Sequence, residues 1–251
     1  MDYTGLDQKH EYYNANRHLI PAEVAEKYEM AFLIEFTHNS TAIEGNTLSL
    51  IETKLIIEDG ISVGGKSMRE IYESANHKKA FGYMRERLGE KKPLDEVTVK
   101  DIHEILMENI FQGGIYRNTE VSITGANYQP PAATDMYIQI KNFFADFAFK
   151  KDMHPVEFAA WTHAEFVRIH PFADGNGRAS RMIMNYQLMF YGWLPVSVLN
   201  KDRLDYYNAL GVYAVDGNIE PFAGLIAGLE HKELDRMIRI IDQVKTPFVN
   251  K

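Results

Sequence analysis

Apolar residues recur three and four positions apart along most of this chain, and this helical period constrains its fold more than any other feature. Two capping boxes, Ser49 with Glu52 and Ser67 with Glu70, mark helix starts, because each pair can satisfy two backbone N–H groups that a helix leaves free. The periodic stretches cover residues 25–36, 51–55, 68–75, 102–106, 136–147, 158–167, 182–189 and 222–244. The pattern predicts an all-α fold, a helical bundle.

One segment departs from this period. Residues 120–124 form a β-prone run, which follows Gly113 and Gly114 and precedes two prolines at 130–131. We therefore expect a small β-hairpin between two helices. We divide the chain into an N-terminal helical region (residues 1–92), a core that includes this hairpin (93–215) and a C-terminal helix and tail (216–251), and expect them to pack as one compact unit.

The charge balance and the lack of cysteine argue against several functional classes. The chain has 27 Lys and Arg against 35 Asp and Glu, a net charge of −8, which disfavours binding to nucleic acids or membrane surfaces. Without cysteine there is no disulfide framework, thiolate zinc site or cysteine nucleophile. No signal peptide or apolar run of membrane-spanning length is visible, so we predict a cytoplasmic protein.

The string His-Pro-Phe-Ala-Asp-Gly-Asn-Gly-Arg-Ala-Ser-Arg, residues 170–181, stands between two helical patterns. It therefore predicts a loop that leads into the N-terminus of a helix. The free N–H groups of a helix N-terminus attract anions, and Gly175 and Gly177 would let a phosphate come close to the backbone. A polyphosphate is the ligand that this pattern indicates.

The charged side chains of the string fit the same ligand. Arg178 and Arg181 lie on the first helical turn, where cations are unfavourable by about 0.3–1 kcal/mol each unless an anion faces them. Asp174 offers one hard oxygen ligand for Mg²⁺ beside phosphate oxygens. His170 can take a proton from a hydroxyl nucleophile near neutral pH.

The string resembles the signature of Fic-domain proteins, which it matches at every fixed position. The resemblance implies the Fic fold and AMPylation, the transfer of AMP from ATP to a Ser, Thr or Tyr hydroxyl of a target protein or of the enzyme itself. It also implies that Mg²⁺ is the cofactor. It implies these roles: His170 as general base, Asp174 as Mg²⁺ ligand, Gly175, Asn176 and Gly177 as anion hole, and Arg178 and Arg181 on the ATP phosphates.

Two further family elements concern the target and the adenine. The resemblance places a flap hairpin, on which the protein substrate docks by strand pairing, at Thr124, Gly125, Ala126 and Asn127. Tyr206 and Tyr207 resemble a tyrosine pair near the adenine. The Asn often found shortly after that pair is absent, because Ala214 and Val215 stand at its place.

An upstream motif resembles the inhibitory helix of one Fic subclass. Ser40 and Glu44 match its Ser/Thr-x-x-x-Glu pattern and are expected to share one face of a helix. Gly45 is expected to end that helix. The resemblance implies that Glu44 pairs with Arg181 and keeps it from the γ-phosphate. A charged hydrogen bond of roughly 1.5–3 kcal/mol would slow transfer ten- to over a hundredfold.

Other interpretations stay open from the sequence. Glu44 could position water for the reverse reaction, removal of AMP, or the chain could be a nucleotide-binding module whose chemistry has lapsed. Residues 60–67 match the P-loop pattern of a nucleotide hydrolase, but helical signals around them predict an interhelical turn. We predict that His154 begins a helix and that His163 lies in the core. A homo-oligomer is compatible with the sequence.

Overall fold

The computed structural model describes residues 1–123 and 128–246 of the chain. These residues contain ten α-helices and no strand. The helices are α1 (Thr4–Asn16), α2 (Ala22–Ala42), α3 (Leu50–Lys54), α4 (Met68–Gly89), α5 (Glu96–Met107), α6 (Ala133–Lys150), α7 (Pro155–Ile169), α8 (Asn176–Phe190), α9 (Arg203–Asp216) and α10 (Glu220–Lys245). The predicted all-α class is confirmed.

Both predicted capping boxes begin helices. The Ser49 hydroxyl accepts a hydrogen bond from the Glu52 N–H at the start of α3, and Ser67 does the same with Glu70 at the start of α4. A π-helical turn, Leu55–Asp59, follows α3 and ends at residue 60. Residues 60–67 therefore join two helices, which confirms the interhelical turn and contradicts the P-loop alternative, since a P-loop follows a buried strand.

Helices α7 and α8 form the centre of the core and pack against each other along their lengths. His154 caps the start of α7 by accepting a hydrogen bond from the Val156 N–H, as predicted. His163 lies fully buried between the two helices, within hydrogen-bond distance of the Ser180 hydroxyl (3.1 Å) and the Tyr206 hydroxyl (2.9 Å). It is thus a core residue, also as predicted.

The predicted hairpin is not formed by the described residues of its segment. Residues 120–123 and 128–132 are irregular, and residues 124–127 lie outside the description. Hydrogen bonds from side chains, and not backbone bonds between paired strands, fix this segment. The Arg117 guanidinium donates to the carbonyls of Thr119 and Pro131, and the Glu120 carboxylate accepts the Ala133 N–H at the start of α6. These bonds replace the strand pairing that β-propensity favours.

In residues 1–123 and 128–246, none of the helices combines the length and the apolar character needed to cross a bilayer.

Helix ends from different parts of the chain lie close together in this fold. The N-terminus of α4 contacts the loop of residues 170–175 between α7 and α8 through Arg69 and Asp174, and the turn after α2 contacts α8 just beyond this loop through Glu44 and Arg181. This meeting point contains most of the site residues predicted from the sequence.

Candidate active site

The loop between α7 and α8 is closed by the side chain of Asn176. Its Oδ1 accepts a hydrogen bond from the Phe172 N–H at 2.9 Å, and its Nδ2 donates to the Phe172 carbonyl at 2.8 Å. The amide that the resemblance assigns to an anion hole is therefore occupied by the loop. Only the backbone N–H of Asn176, at the start of α8, is left to meet an anion.

His103 on α5 holds the same loop from a second side. Its ring lies flat on Phe172, with centroids 3.5 Å apart. Its Nδ1 accepts from the Gly114 N–H, so its Nε2 carries the hydrogen and donates to the Asp174 carbonyl at 2.8 Å. Burial lowers the pKa of His103 to about 4, and the ring is neutral at pH 7. The sequence analysis missed this residue, because only the fold brings residue 103 beside the loop.

Gly175 begins α8 in the left-handed region, with φ at 76°, and a Cβ there would lie 2.7 Å from Met107 Sδ. Gly192 has a similar φ of 83°, and nothing lies within 4 Å of its Cβ position. Both alanine variants carry backbone strain of roughly 1–2 kcal/mol, but only Gly175→Ala adds steric overlap of roughly 1–3 kcal/mol.

We therefore expect Gly175→Ala to lower the thermal unfolding midpoint more than Gly192→Ala does. For a chain of this size each kcal/mol shifts the midpoint by about 2–4 °C. Calorimetry of the two variants measures the difference. Equal losses would show that the contact with Met107 has no influence on stability.

His170 ends α7 in an unusual backbone conformation, with φ 53° and ψ 58°. Its ring Nδ1 lies 3.3 Å from the Val167 carbonyl, so we assign the hydrogen to Nδ1 and a free lone pair to Nε2. Burial lowers the pKa of His170 to about 4. The imidazole is therefore neutral at pH 7 and can accept a proton on Nε2.

Arg181 is buried, and each of its guanidinium nitrogens donates a hydrogen bond. Nε donates to the Ser40 hydroxyl at 2.9 Å, and Nη1 donates to the Tyr206 hydroxyl at 3.1 Å. Nη2 donates to the Ser40 carbonyl at 2.8 Å and to Glu44 Oε1 at 2.9 Å. The structure thus brings together Ser40, Glu44 and Arg181. Helix α2 ends at Ala42, so Glu44 lies in the turn that follows and not within the helix.

The Glu44 carboxylate lies on the first turn of α8. A Cβ added to Gly177 would overlap Glu44 Oε1 and would come within 3.2 Å of Arg181 Nη1. This is the position where free N–H groups and a bare backbone favour an anion. In this conformation a side chain of the chain itself holds that position.

Asp174 stands beside the same helix end as an ionised carboxylate. Its Oδ1 accepts from the Gly175 N–H at 2.6 Å, and its Oδ2 accepts from Arg69 Nη2 at 2.5 Å. Burial acts to raise the pKa of Asp174. The hydrogen bond from Arg69 and the charges of Arg178 and Arg69 outweigh burial and leave that pKa below its ordinary value.

Arg178 is buried against carboxylates as well. Its Nη1 lies 3.4 Å from Glu73 Oε1, and its Nη2 lies 3.6 Å from Asp174 Oδ1. Glu73, on α4, also accepts from Arg69 Nε at 3.1 Å and from Asn46 Nδ2 at 2.9 Å. Both arginines at the unfavourable end of the α8 dipole therefore face negative charge already. The sequence analysis missed Arg69 and Glu73, which carry no motif signal, and gave no role to Asn46.

The two tyrosines predicted near the adenine differ in exposure, and the predicted flap residues lie outside the described part of the chain. Tyr206 is fully buried, and its hydroxyl lies within hydrogen-bond distance of Arg181 and His163. Tyr207 is 43% exposed and donates to the Ile43 carbonyl at 3.3 Å. Of the pair, only Tyr207 keeps surface that a ligand could touch. Thr124, Gly125, Ala126 and Asn127 lie outside the described residues.

The site's arrangement agrees with a comparison of sequence families. A model of the Fic/DOC family matches residues 93–188, a range that contains the loop, His103, Asp174 and both arginines of α8. Residues 93–188 therefore form a Fic domain. Ser40 and Glu44 lie outside the matched Fic domain and contact it through Arg181.

Relatives of the Fic domain agree in sequence and in fold. Protein adenylyltransferase Fic of Nematostella vectensis is 38% identical over 206 residues, which cover 79% of this chain and 47% of that protein. The chain thus spans about half the length of this curated relative. Fic-1 from C. elegans aligns with a TM-score of 0.80 at 26% identity, covering 94% of this chain and 70% of that one.

A second structure supports the fold and nothing beyond the fold. A Fic domain containing signaling protein from Bacteroides thetaiotaomicron aligns with a TM-score of 0.83 at 24% identity. The alignment covers 93% of this chain and 98% of that one. The helices around the Fic domain are therefore shared with that protein as well.

Proposed function

We propose that this protein transfers AMP from ATP to a hydroxyl group of a protein substrate, and that Glu44 restrains the reaction. The carrying observation is that a carboxylate occupies the anion position at Gly177 while a neutral imidazole, His170, stands at the other end of the same short loop. The relative from Nematostella vectensis bears the name of this activity. Mass spectrometry of Glu44→Gly protein incubated with ATP tests it, since each transfer adds one adenylyl group.

The proposed chemistry is an in-line displacement at the α-phosphorus of ATP. The hydroxyl oxygen of the target forms a bond to the α-phosphorus, and the bond from that phosphorus to the bridging oxygen of the β-phosphate breaks. Pyrophosphate leaves with the bonding electrons, and His170 Nε2 takes the hydroxyl proton. Because the His170 ring is neutral at pH 7, it can act as this base without first losing a proton.

The triphosphate is proposed to lie across the start of α8. The free N–H groups of the helix and the bare backbone at Gly177 would face its oxygens, whereas the bare side of Gly175 faces Met107. Arg181 would hold the γ-phosphate in the place now taken by Glu44, and the buried Arg178 would supply positive charge beneath the phosphates. The adenine is proposed to lie beside Tyr207, the exposed member of the tyrosine pair.

Asp174 fits a magnesium ligand. Its ionised carboxylate is about a third exposed at the helix end, beside the proposed phosphates. No group of three or more His, Asp or Glu side chains that could hold a metal occurs in the described part of the chain. This suits Mg²⁺, which often binds one carboxylate together with phosphate oxygens and water. Bound there, Mg²⁺ would neutralise phosphate charge as pyrophosphate leaves.

We expect Asp174→Ala to weaken metal binding by at least about tenfold, since it removes the one carboxylate proposed as a ligand. The measurement is the affinity of Mn²⁺ for the protein with a non-hydrolysable ATP analogue, followed by electron paramagnetic resonance. Asp59→Ala, at an exposed site, is the matched control. Equal affinities in the two variants would remove Asp174 from the metal site.

The protein substrate and the setting of the reaction belong to the same proposal. We propose that the target segment docks beside residues 119–123 and 128–131, close to His170, where the backbone of residues 120–123 has no strand partner among the described residues. A cytoplasmic location suits a chain without cysteine. Self-modification and a homo-oligomer stay predictions.

The position of Glu44 also favours a second reaction at this site, hydrolytic removal of AMP from a modified protein. A carboxylate at the α8 N-terminus can accept a hydrogen bond from water and orient it toward a bound phosphodiester. Wild-type protein incubated with AMPylated Glu44→Gly protein would then release AMP, and Glu44→Gly enzyme would not. Absence of released AMP would leave transfer as the reaction of this site.

A further inference from the structure

Arg117 lies in the irregular segment between α5 and α6 and is only 3% exposed. It faces no carboxylate within ion-pair distance among the described residues, which is unusual for a buried arginine because burial of an unpaired charge is costly. Burial accordingly lowers the pKa of Arg117. The charge is instead surrounded by backbone carbonyl groups.

Arg117 grips two successive carbonyls of the catalytic loop. Its side-chain Nε donates to the His170 carbonyl at 2.8 Å, and its backbone N–H donates to the Pro171 carbonyl at 2.9 Å. The His170 carbonyl belongs to a helix end in the left-handed region, a conformation that costs a side-chain-bearing residue free energy unless its surroundings enforce it. The two bonds from Arg117 supply such enforcement.

The other two nitrogens of the guanidinium reach the segment that leads to and from residues 120–130. Nη1 donates to the Thr119 carbonyl at 2.9 Å, and Nη2 donates to the Pro131 carbonyl at 2.6 Å. One planar group thus ties both ends of this segment to the backbone of His170. A lysine ammonium lacks the fixed, planar arrangement of donors that serves three carbonyls in these directions.

We infer that Arg117 is a positioning residue, which sets the backbone of His170 and couples it to the backbone of Thr119 and Pro131, the two ends of that segment. This inference rests on the proposed function, in which His170 is the base and the target hydroxyl arrives beside that segment. These hydrogen bonds of Arg117 all go to backbone carbonyls, so under this inference it contacts neither nucleotide nor target. Its loss should misplace the imidazole and leave the phosphate site at α8 intact.

The first test uses the rate of self-labelling from α-labelled ATP in the Glu44→Gly background. We expect Arg117→Ala to lower the rate at saturating ATP by about 10- to 100-fold, because a shift of about 1 Å in a reacting group has effects of this size. Arg117→Lys should lose less. The affinity for a non-hydrolysable ATP analogue, measured by calorimetry, should change less than twofold, and millimolar guanidinium should restore part of the Arg117→Ala rate.

The matched control is Arg87→Lys, a mostly buried arginine of α4 that contacts Thr98 and Asp95, away from the loop. It should change neither the labelling rate nor the nucleotide affinity by more than twofold. A parallel fall of rate and nucleotide affinity in the Arg117 variants would overturn the inference, as would an unchanged rate. Thermal unfolding identifies folded variants, and Arg117→Lys serves if Arg117→Ala does not fold.

A second test needs no activity and separates this inference from the proposed function. The ring resonances of His170, assigned by their loss in His170→Ala, should move in NMR spectra of Arg117→Lys and stay in place in Arg87→Lys. If the parent Glu44→Gly protein does not label itself or any protein, the proposed function fails, and these spectra still decide the role of Arg117. Unmoved His170 resonances would overturn it.

Discussion

Glu44→Gly should raise AMP transfer at least tenfold over the wild type. The substitution removes the carboxylate from the first turn of α8 and releases Arg181 Nη2, which then can meet the γ-phosphate. A charged hydrogen bond contributes roughly 1.5–3 kcal/mol, which corresponds to a rate factor of ten to over a hundred. The measurement is incorporation of label from α-labelled ATP into protein at fixed nucleotide concentration.

Glu26→Gly is the matched control for this experiment. Glu26 is an exposed residue of α2 and takes part in no ion pair within the described residues, so the same chemical change there costs only helix propensity, about 1 kcal/mol. Glu44→Gln keeps an oxygen acceptor for Arg181 without the charge and should give an intermediate rate. Equal labelling by the wild type and Glu44→Gly would refute the restraint.

His170→Ala in the Glu44→Gly background should lose about 10²- to 10⁴-fold in transfer rate, the usual contribution of a positioned general base. In the proposed reaction the imidazole takes the hydroxyl proton, and it makes no contact with the proposed phosphate ligands Arg178 and Arg181. Affinity for a non-hydrolysable ATP analogue should therefore change little. Rates of labelling and calorimetric binding constants check the two statements separately.

His18→Ala, at an exposed position after α1, controls for the loss of a histidine and should label at the parental rate. A variant of His170 that keeps more than about a tenth of the rate would exclude the general-base role. A variant that loses nucleotide binding together with transfer would place His170 among the binding residues instead.

The sequence predicted the helices well because their signals are local. Apolar period and capping residues such as Ser49 and Ser67 act within one or two turns, and the structure repeats them directly. The hairpin was predicted wrongly for the described residues 120–123, because β-propensity is local while the bonds of Arg117 to Thr119 and Pro131 come from the tertiary fold.

The site was predicted in part for the same reason. The loop and the helix start were predicted from a contiguous string, and the contact of Glu44 with Arg181 was implied by the family resemblance of one spaced motif. Arg69 and His103, which hold Asp174 and its loop, come from other helices, and nothing in their neighbourhoods marks them. The amide of Asn176 closes the loop, a purpose that its position in the string does not reveal.

Arg181 donates to Ser40 through Nε and to Tyr206 through Nη1 in addition to Glu44, and it is 1% exposed. Losing the carboxylate therefore leaves this arginine anchored in place. Under the proposed restraint, activation needs a movement of only the turn that follows α2, while Arg181 keeps its bonds to Ser40 and Tyr206. An activating partner would accordingly have to pull on that turn from outside, and could succeed without ever reaching the nucleotide.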